Sequence, residues 1–415
     1  MKMRVFLLAL AVATATLFGA YPSQADTEVS GKSPGGAYFK IVVPDNWNGS
    51  LVIWNHGFSL SKIGPIEDYD DLGPLQDLHL IQGYAVAASS YRLKGWAVFK
   101  TDYDLRQLVS AFSQEFRTPD QIILYGASLG GAVTASALER GNLPNVAGAL
   151  TFCGAMAGSR NWDAALDLRL GYDMMCSDMP GGAIPGGAKG LPKRSDWDNR
   201  DVERAVNACT GVDEPRSQRT AQQQENLDRI LEAAQIPAVA LQTGMRYATI
   251  SMADLVHDRK KLKSKIGTGN KKVDYGDPVV NADIKRVKAK KKNRKKLKKS
   301  FTPKGNVGTA KIISMHTDKD ALVLVENEHE YAEVVPPQNL TTAIVREPIP
   351  THCVFTPPEI IAGWEALREW IDTGVQPTAG DIQNRCKSVP LIGETCRIDP
   401  NFVVPDMDGR IRPRS

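Results

Sequence analysis

Apolar and polar residues alternate along the first 155 residues in the manner of strands and helices. Short apolar runs, typical of buried strands, lie at 38–43, 50–55, 84–89, 121–125 and 146–152. Helical periodicity follows at 102–116 and again at about 131–140. This order predicts an α/β fold, a mostly parallel sheet with helices on both faces.

A long insertion interrupts the alternation after Cys153. Residues 156–305 are rich in Gly, Pro, Gln and Lys and contain helical stretches at 161–170 and 222–234. We interpret this insertion as a largely helical cap over the carboxyl edge of the sheet.

The alternation resumes with an apolar strand at 310–315. A last long helix then begins after Thr356, with proline in its first turn and Glu359 placed for a capping box. The predicted segments are a signal peptide at 1–25, an α/β core at 26–155 and 306–384, a cap at 156–305 and a C-terminal tail at 385–415.

The N-terminal residues have the pattern of a secretory signal. Lys2 and Arg4 precede an apolar run at 5–17, and small residues follow, with cleavage expected after Ala25 or, alternatively, after Ala20. The run is short for a membrane span. We therefore expect an exported protein, extracellular or periplasmic, without a membrane span.

The six cysteines form an even set, which favours disulfides in an exported chain. The pairings we favour are Cys386 with Cys396 and Cys176 with Cys209. No C-x-x-C occurs and no histidine spacing suits zinc, so we expect no metal site.

A basic run at 285–299 stands out from a net charge of only +4, because it holds eleven basic residues and no acidic one. We expect this basic run to form a solvated surface of the cap. The alternative is contact with an anionic partner through Lys285–Lys299, such as a cell surface, a polyanion or a nucleic acid. The run contains no aromatic residue on which single-stranded bases stack.

The candidate chemistry centres on Gly126-Ala127-Ser128-Leu129-Gly130. This G-x-S-x-G lies between a predicted strand and a predicted helix, where the turn exposes a serine above a parallel sheet. A serine nucleophile needs a histidine base, and the histidine needs an acid that orients it.

The acid and the base are expected after the serine, in that order. Asp320 is the favoured acid and Asp318 the alternative, because both lie in the turn after the resumed strand. His352, in a loop directly before the capped helix, is favoured over His329, which lies in a charged stretch. The remaining histidines precede the acid region or abut it: His56, His79, His257 and His316.

An acyl-transfer site also needs donors for an oxyanion. His56-Gly57-Phe58 follows the second predicted strand. The expected donors are the backbone N–H groups of Phe58 and Leu129, and His56 is expected to hold the loop.

Together these stretches resemble the α/β-hydrolase superfamily, in particular its secreted bacterial serine esterases. The matching stretches are VVPDNWNGSLVIWNHGF (42–58), SSYRLKGW (89–96), LYGASLGG (124–131), MHTDKDALVLVENEHEYAE (315–333) and THCVFTPPEIIAGWEALREWIDTG (351–374). The resemblance implies Ser128 as nucleophile, Asp320 as acid and His352 as base, with no cofactor.

The His352-Cys353 pair is similar to the His-Cys of tannase and feruloyl-esterase relatives. There the partner cysteine adjoins the nucleophile, whereas this chain has Ala127. We consider instead that Cys153 reaches Cys353 and ties the histidine loop to the sheet; an unrelated pairing is the alternative.

The expected function is hydrolysis of carboxylic esters. A secreted aminopeptidase of the same fold is the second hypothesis, with Asp163, Asp167 and Asp173 available to bind an amino terminus. A non-catalytic binder of polyanions is the third. Tryptophans that can line an apolar substrate pocket, or simply pack in the core, are Trp54, Trp96 and Trp162. The sequence leaves the ester substrate and the oligomeric state open.

Overall fold

A nine-stranded, mostly parallel sheet forms the centre of the molecule. The computed structural model describes residues 26–60, 64, 72–389 and 395–414. The strands are β1 (Thr27–Lys32), β2 (Tyr38–Val43), β3 (Ser50–Asn55), β4 (Ala85–Ser89), β5 (Gln121–Ala127), β6 (Val146–Phe152), β7 (Lys311–Thr317), β8 (Leu340–Val345) and β9 (Ile398–Asp399).

The strands lie in the order β1-β2-β4-β3-β5-β6-β7-β8-β9. Strands β4, β3, β5, β6, β7 and β8 pair in parallel, whereas β1, β2 and β9 pair antiparallel at the two edges. The central strands are mostly apolar, and every residue of β3 is buried. This composition is typical of parallel strands whose two faces are both covered.

Helices cover both faces of this sheet. The described helices are α1 (Gln76–Ile81), α2 (Thr101–Glu115), α3 (Leu129–Arg140), α4 (Arg160–Cys176), α5 (Asn199–Thr210), α6 (Ala221–Ala234), α7 (Leu241–Arg246), α8 (Met252–His257), α9 (Pro278–Asp283), α10 (Lys291–Ser300), α11 (Asn327–Ala332), α12 (Pro357–Thr373) and α13 (Ala379–Ser388). Apolar residues of α2 and α3 pack on one face, and those of α12 and α13 pack on the other. The predicted fold class, an α/β-hydrolase fold, is confirmed by this arrangement.

The segment between β6 and β7 is helical and contains α4 to α10. It has an apolar cluster of its own, in which Leu168, Val206 and Leu227 are buried. The Cys176–Cys209 disulfide joins α4 to α5 inside this cluster. The segment boundaries drawn from the sequence stay predictions.

The C-terminal part of the described chain first packs against the sheet, and its last residues then contact the helical segment. Thr356 and Glu359 form the expected capping box at the start of α12. The Cys386–Cys396 disulfide follows, and β9 pairs with β8. Within the described residues, no helix combines the length and apolar character needed to cross a bilayer. The predicted signal peptide, 1–25, lies outside the described residues.

Candidate active site

Ser128 occupies a tight turn between β5 and α3. Its backbone angles are φ 57° and ψ −121°, a conformation that a residue with a side chain rarely adopts. A Cβ on Gly130 would lie 1.8 Å from the Asn55 carbonyl oxygen, and one on Gly126 would lie 2.5 Å from that of Gly130. Only glycine at both positions allows β5, α3 and the end of β3 to approach this closely.

His352 and Asp320 lie beside this serine. His352 Nε2 is 3.0 Å from Ser128 Oγ, and His352 Nδ1 is 2.8 Å from Asp320 Oδ2. The side chain of Asp320 is fully buried, whereas that of His352 is 28% exposed. The three residues that the sequence singles out therefore form a continuous serine–histidine–aspartate hydrogen-bond chain.

Neither alternative residue joins this chain of hydrogen bonds. Asp318 accepts hydrogen bonds from Arg346 at 3.0 Å and from the Glu347 N–H at 2.7 Å. The ring of His329 lies 3.9 Å from Asp406, on the outer side of α11. Both side chains are thus engaged away from Ser128.

Backbone donors hold Asp320 in place. The N–H groups of Leu322 and Val323 both donate to Asp320 Oδ1, each at 2.8 Å. Because the carboxylate is fixed from both sides, it can orient the ring of His352 and stabilise the charged imidazolium.

The loop after β3 approaches the nucleophile closely. A Cβ on Gly57 would lie 3.6 Å from Ser128 Cβ, so the Gly57 backbone lies beside the serine. The His56 ring stacks on Tyr91 with centroids 4.2 Å apart, and its Nδ1 contacts the Gly57 carbonyl oxygen at 2.8 Å. Leu129 is the first residue of α3, where a helix leaves N–H groups without an intrahelical acceptor.

His316 is a site residue that the sequence reasoning dismissed. It is fully buried, with Nδ1 2.9 Å from Glu328 Oε1 and Nε2 2.7 Å from the Val323 carbonyl oxygen. Both ring nitrogens therefore face oxygen atoms. Burial lowers the pKa of His316, but the hydrogen bond to Glu328 and the charges of Glu328 and Asp320 outweigh it and raise that pKa above its ordinary value. His316 begins the turn predicted to hold Asp320, and nothing in the local sequence pattern indicates that its ring is enclosed by Glu328 and the Val323 carbonyl oxygen.

Cys153 and Cys353 are neighbouring thiols in the structure and are not bonded. Burial raises the pKa of the Cys153 thiol well above its ordinary value, and contact with Cys353 raises it further. Both residues have positive φ, 45° and 59°. The link between them that the sequence analysis considers stays a prediction, and peptide mapping without reduction tests it.

The described residues contain one group whose spacing suits a metal ion: Cys153, His316 and Asp320, with ligand atoms within 4.8 Å of one another. Asp320 already accepts hydrogen bonds from His352 and two backbone N–H groups, and both nitrogens of His316 are engaged. Two of the three groups that could bind an ion, His316 and Asp320, therefore already take part in hydrogen bonds of the site.

An apolar pocket opens beside Ser128. Trp96 and Trp162 line it and meet edge to face, with ring centroids 5.7 Å apart. Trp54 packs instead against Tyr125 in the core, at 4.6 Å. Two of the three tryptophans singled out in the sequence thus reach the pocket.

The acidic residues considered as anchors for an amino terminus are all paired. Asp163 lies 3.5 Å from Arg294, Asp167 accepts from Arg414 at 2.7 Å, and Asp173 accepts from Arg169 at 2.8 Å. Each carboxylate is thus neutralised by the protein itself.

Comparisons with known proteins give structural similarity only. No family model and no curated protein matches this chain. Among solved structures, an esterase from a Rhodococcus species is similar at 16% identity, over 84% of this chain and 99% of that one, with a TM-score of 0.41. Candida antarctica lipase A is similar at 11% identity, over 88% and 90%, with a TM-score of 0.43. A Bacillus coagulans carboxyl esterase is similar at 13% identity, over 86% and 99%, with a TM-score of 0.38.

Proposed function

We propose that the protein is an exported serine hydrolase that cleaves carboxylic esters. The observation that carries this proposal is the hydrogen-bond chain from Ser128 through His352 to Asp320, with links of 3.0 and 2.8 Å. A serine hydroxyl becomes a nucleophile when a histidine takes its proton and a carboxylate stabilises the resulting imidazolium.

The proposed reaction has two steps. Ser128 Oγ attacks the ester carbonyl carbon while its proton passes to His352 Nε2. The N–H groups of Phe58 and Leu129 hold the oxyanion, and His352 returns the proton to the departing alcohol oxygen. Water then gives a proton to His352 Nε2 and attacks the acyl-enzyme, and His352 returns that proton to Ser128 Oγ as the carboxylic acid departs.

Ester hydrolysis is favoured over removal of an N-terminal amino acid because the carboxylates considered as anchors, all among the described residues, are already paired. An aminopeptidase must bind the ammonium group of its substrate. The three candidate carboxylates, Asp163, Asp167 and Asp173, are each paired with an arginine, so such a group would have to displace that arginine.

Labelling with a fluorophosphonate tests the proposal. We expect the mature protein to take the label on Ser128, identified by mass spectrometry, and the His352→Ala variant to lose it. Nitrophenyl esters should then be hydrolysed faster than aminoacyl anilides. An unlabelled Ser128 in folded protein would reject the hydrolase assignment and favour the binding function of the basic run.

Export is proposed from the predicted signal at 1–25. The two disulfides, Cys176–Cys209 and Cys386–Cys396, support it because disulfides persist mainly in oxidising compartments. N-terminal sequencing of the protein recovered from outside the cytoplasm tests the cleavage after Ala25.

We also propose contact with a polyanion through the basic run. Helix α10 buries Asn293 and Leu297 and exposes lysines on its other side. The positive charges of Lys263 and Lys100 contribute to lowering the pKa of Lys296, after its partial burial, so basic groups from three segments converge there. An anionic polymer would relieve this repulsion.

A further inference from the structure

The pocket beside Ser128 lies on one side of the nucleophile. Ser128 and Leu129 line it, but among the described residues His352 does not. The histidine must deliver a proton to the departing alcohol, so the alcohol part of an ester lies on the His352 side. The group that enters the pocket is therefore the acyl group.

The lining of this pocket selects uncharged groups. Most of it is aliphatic or aromatic, and its charged member among the described residues is Arg410. Arg410 is ion-paired with Glu326, which is only 2% exposed, and also donates to the Gln235 carbonyl oxygen at 3.0 Å. A carboxylate on the acyl group would have to compete with Glu326 for this arginine, whereas an apolar group needs no partner.

One wall of the pocket comes from the far end of the chain. Met407 and Ile411 line it, are 2% and 3% exposed, and pack with Ala157 and Ala164. This wall bridges the helical segment, which supplies Ala164, and the sheet side, which supplies Ser128.

Arginines anchor this wall on both sides. Arg160 contacts Asp408 and donates to the Ile411 carbonyl oxygen at 2.8 Å. Arg412 donates to the Tyr275 carbonyl oxygen at 2.9 Å, and Arg414 donates to Asp167 at 2.7 Å. The positions of Met407 and Ile411 are thus set by ion pairs and backbone hydrogen bonds.

We infer that the enzyme acts on esters of apolar carboxylic acids and that Met407 and Ile411 set the length of acyl chain it accepts. The inference rests on the proposed ester hydrolysis by Ser128. The alcohol part faces the partly exposed His352 and is selected weakly.

The test is a series of p-nitrophenyl esters with acyl chains from acetyl to dodecanoyl, with kcat/KM measured for each. A second series keeps the octanoyl group and varies the alcohol from methanol to octanol, followed by acid release. We expect kcat/KM to vary at least about tenfold across the acyl series and only a few-fold across the alcohol series.

Variants at Ile411 test the wall in both directions. Ile411→Ala enlarges the pocket and should raise the dodecanoyl-to-hexanoyl ratio of kcat/KM about tenfold, whereas Ile411→Trp should lower it by a similar factor. Val403→Ala is the matched control, because Val403 lies in the same tail but is 85% exposed. Thermal unfolding of each variant separates changed specificity from misfolding.

The outcomes separate this inference from the proposed function. Fluorophosphonate labelling of unaltered Ser128 with hydrolysis of some ester supports the function whatever the profile. Equal acyl profiles in folded Ile411→Ala, Ile411→Trp and unaltered protein, or stronger selection in the alcohol series, would overturn the inference. Failure of both labelling and ester hydrolysis would overturn the proposed function and the inference with it.

Discussion

At the scale of single residues, Ser128, Asp320 and His352 come from three loops of the sheet. Ser128 and His352 are 224 positions apart in the chain, yet their side chains lie 3.0 Å from each other. The order serine, acid, histidine could be predicted because each residue follows a recognisable strand or precedes a capped helix. The choice between two nearby aspartates needed the contacts of each side chain.

Replacing the two aspartates separately tests that choice. We expect Asp320→Asn to lower kcat on a nitrophenyl ester at least about a thousandfold, because the amide favours the wrong tautomer of His352. Asp318→Asn should cost only a few-fold, since Asp318 pairs with Arg346. A greater loss with Asp318→Asn would reverse the assignment.

His79 gives a pH dependence of stability. It is buried against Tyr84, Tyr125 and Trp364, and neither ring nitrogen has a hydrogen-bond partner among the described residues. Burial lowers the pKa of His79 to about 3. The unfolded chain binds the proton as the pH falls through about 6.5, so stability is complete above that pH and lost as the pH falls towards 3.

The His79→Phe variant removes this titration and keeps an aromatic ring in place. Between pH 7.5 and 5.0 the unaltered protein should lose about 2 kcal/mol of unfolding free energy relative to the variant. Urea unfolding of both proteins at the two pH values measures the difference. Parallel losses in the two proteins would show that His79 does not titrate in this range.

At the scale of elements, helix α10 places lysines of the basic run on its exposed side. Two side chains of the run make contacts within the protein: Arg294 pairs with Asp163, and Lys296 contacts backbone carbonyl oxygens. The exposed lysines of the helix are Lys291, Lys292, Lys295, Lys298 and Lys299. The sequence predicted the charge density, but it could not say which side chains the fold engages.

Heparin chromatography of a Ser128→Ala protein tests this face. Changing four exposed lysines to glutamine, Lys291, Lys295, Lys298 and Lys299, should lower the salt concentration needed for elution, because screening weakens the remaining attraction. The matched control changes four exposed basic residues elsewhere in the helical segment, Lys193, Arg194, Arg200 and Arg204. Equal elution of both variants would show that net charge alone governs binding.

The sequence analysis does not predict β1, β8 or β9, and the two edge strands among them show where pattern reasoning stops. Strand β1 has mostly polar, exposed side chains and pairs with β2 through its backbone, so apolar alternation does not mark it. Strand β9 has only two residues. Edge strands such as these depend on a partner strand that the chain supplies elsewhere, which a local pattern does not contain.

At the scale of the whole molecule, the C-terminal residues connect the helical segment to the sheet side of the pocket. Arg414 is 7% exposed at its side chain and lies between the buried carboxylates of Asp163 and Asp167. Burial raises the pKa of both carboxyl groups, and the charge of Arg414 opposes that rise.

Removal of this charge should destabilise the protein strongly. We expect Arg414→Gln to lower the free energy of unfolding by about 3 kcal/mol, because two buried carboxylates lose a partner. Arg385→Gln, which breaks an exposed pair with Glu369, should cost at most about 1 kcal/mol. Chemical unfolding at pH 7.5 measures both, and similar losses would show that the buried network contributes no more than a surface pair.

The sequence by itself determined the α/β fold class, the serine turn and the candidate triad residues. These depend on local physics: apolar period, helix caps and the glycines of a tight turn. Only the tertiary structure decided that Asp320 rather than Asp318 contacts His352, and that His316 is enclosed by acceptors. It also decided that Met407 and Ile411 line the pocket beside Ser128. Those features are contacts between residues far apart in the chain, and packing of the complete fold brings them together.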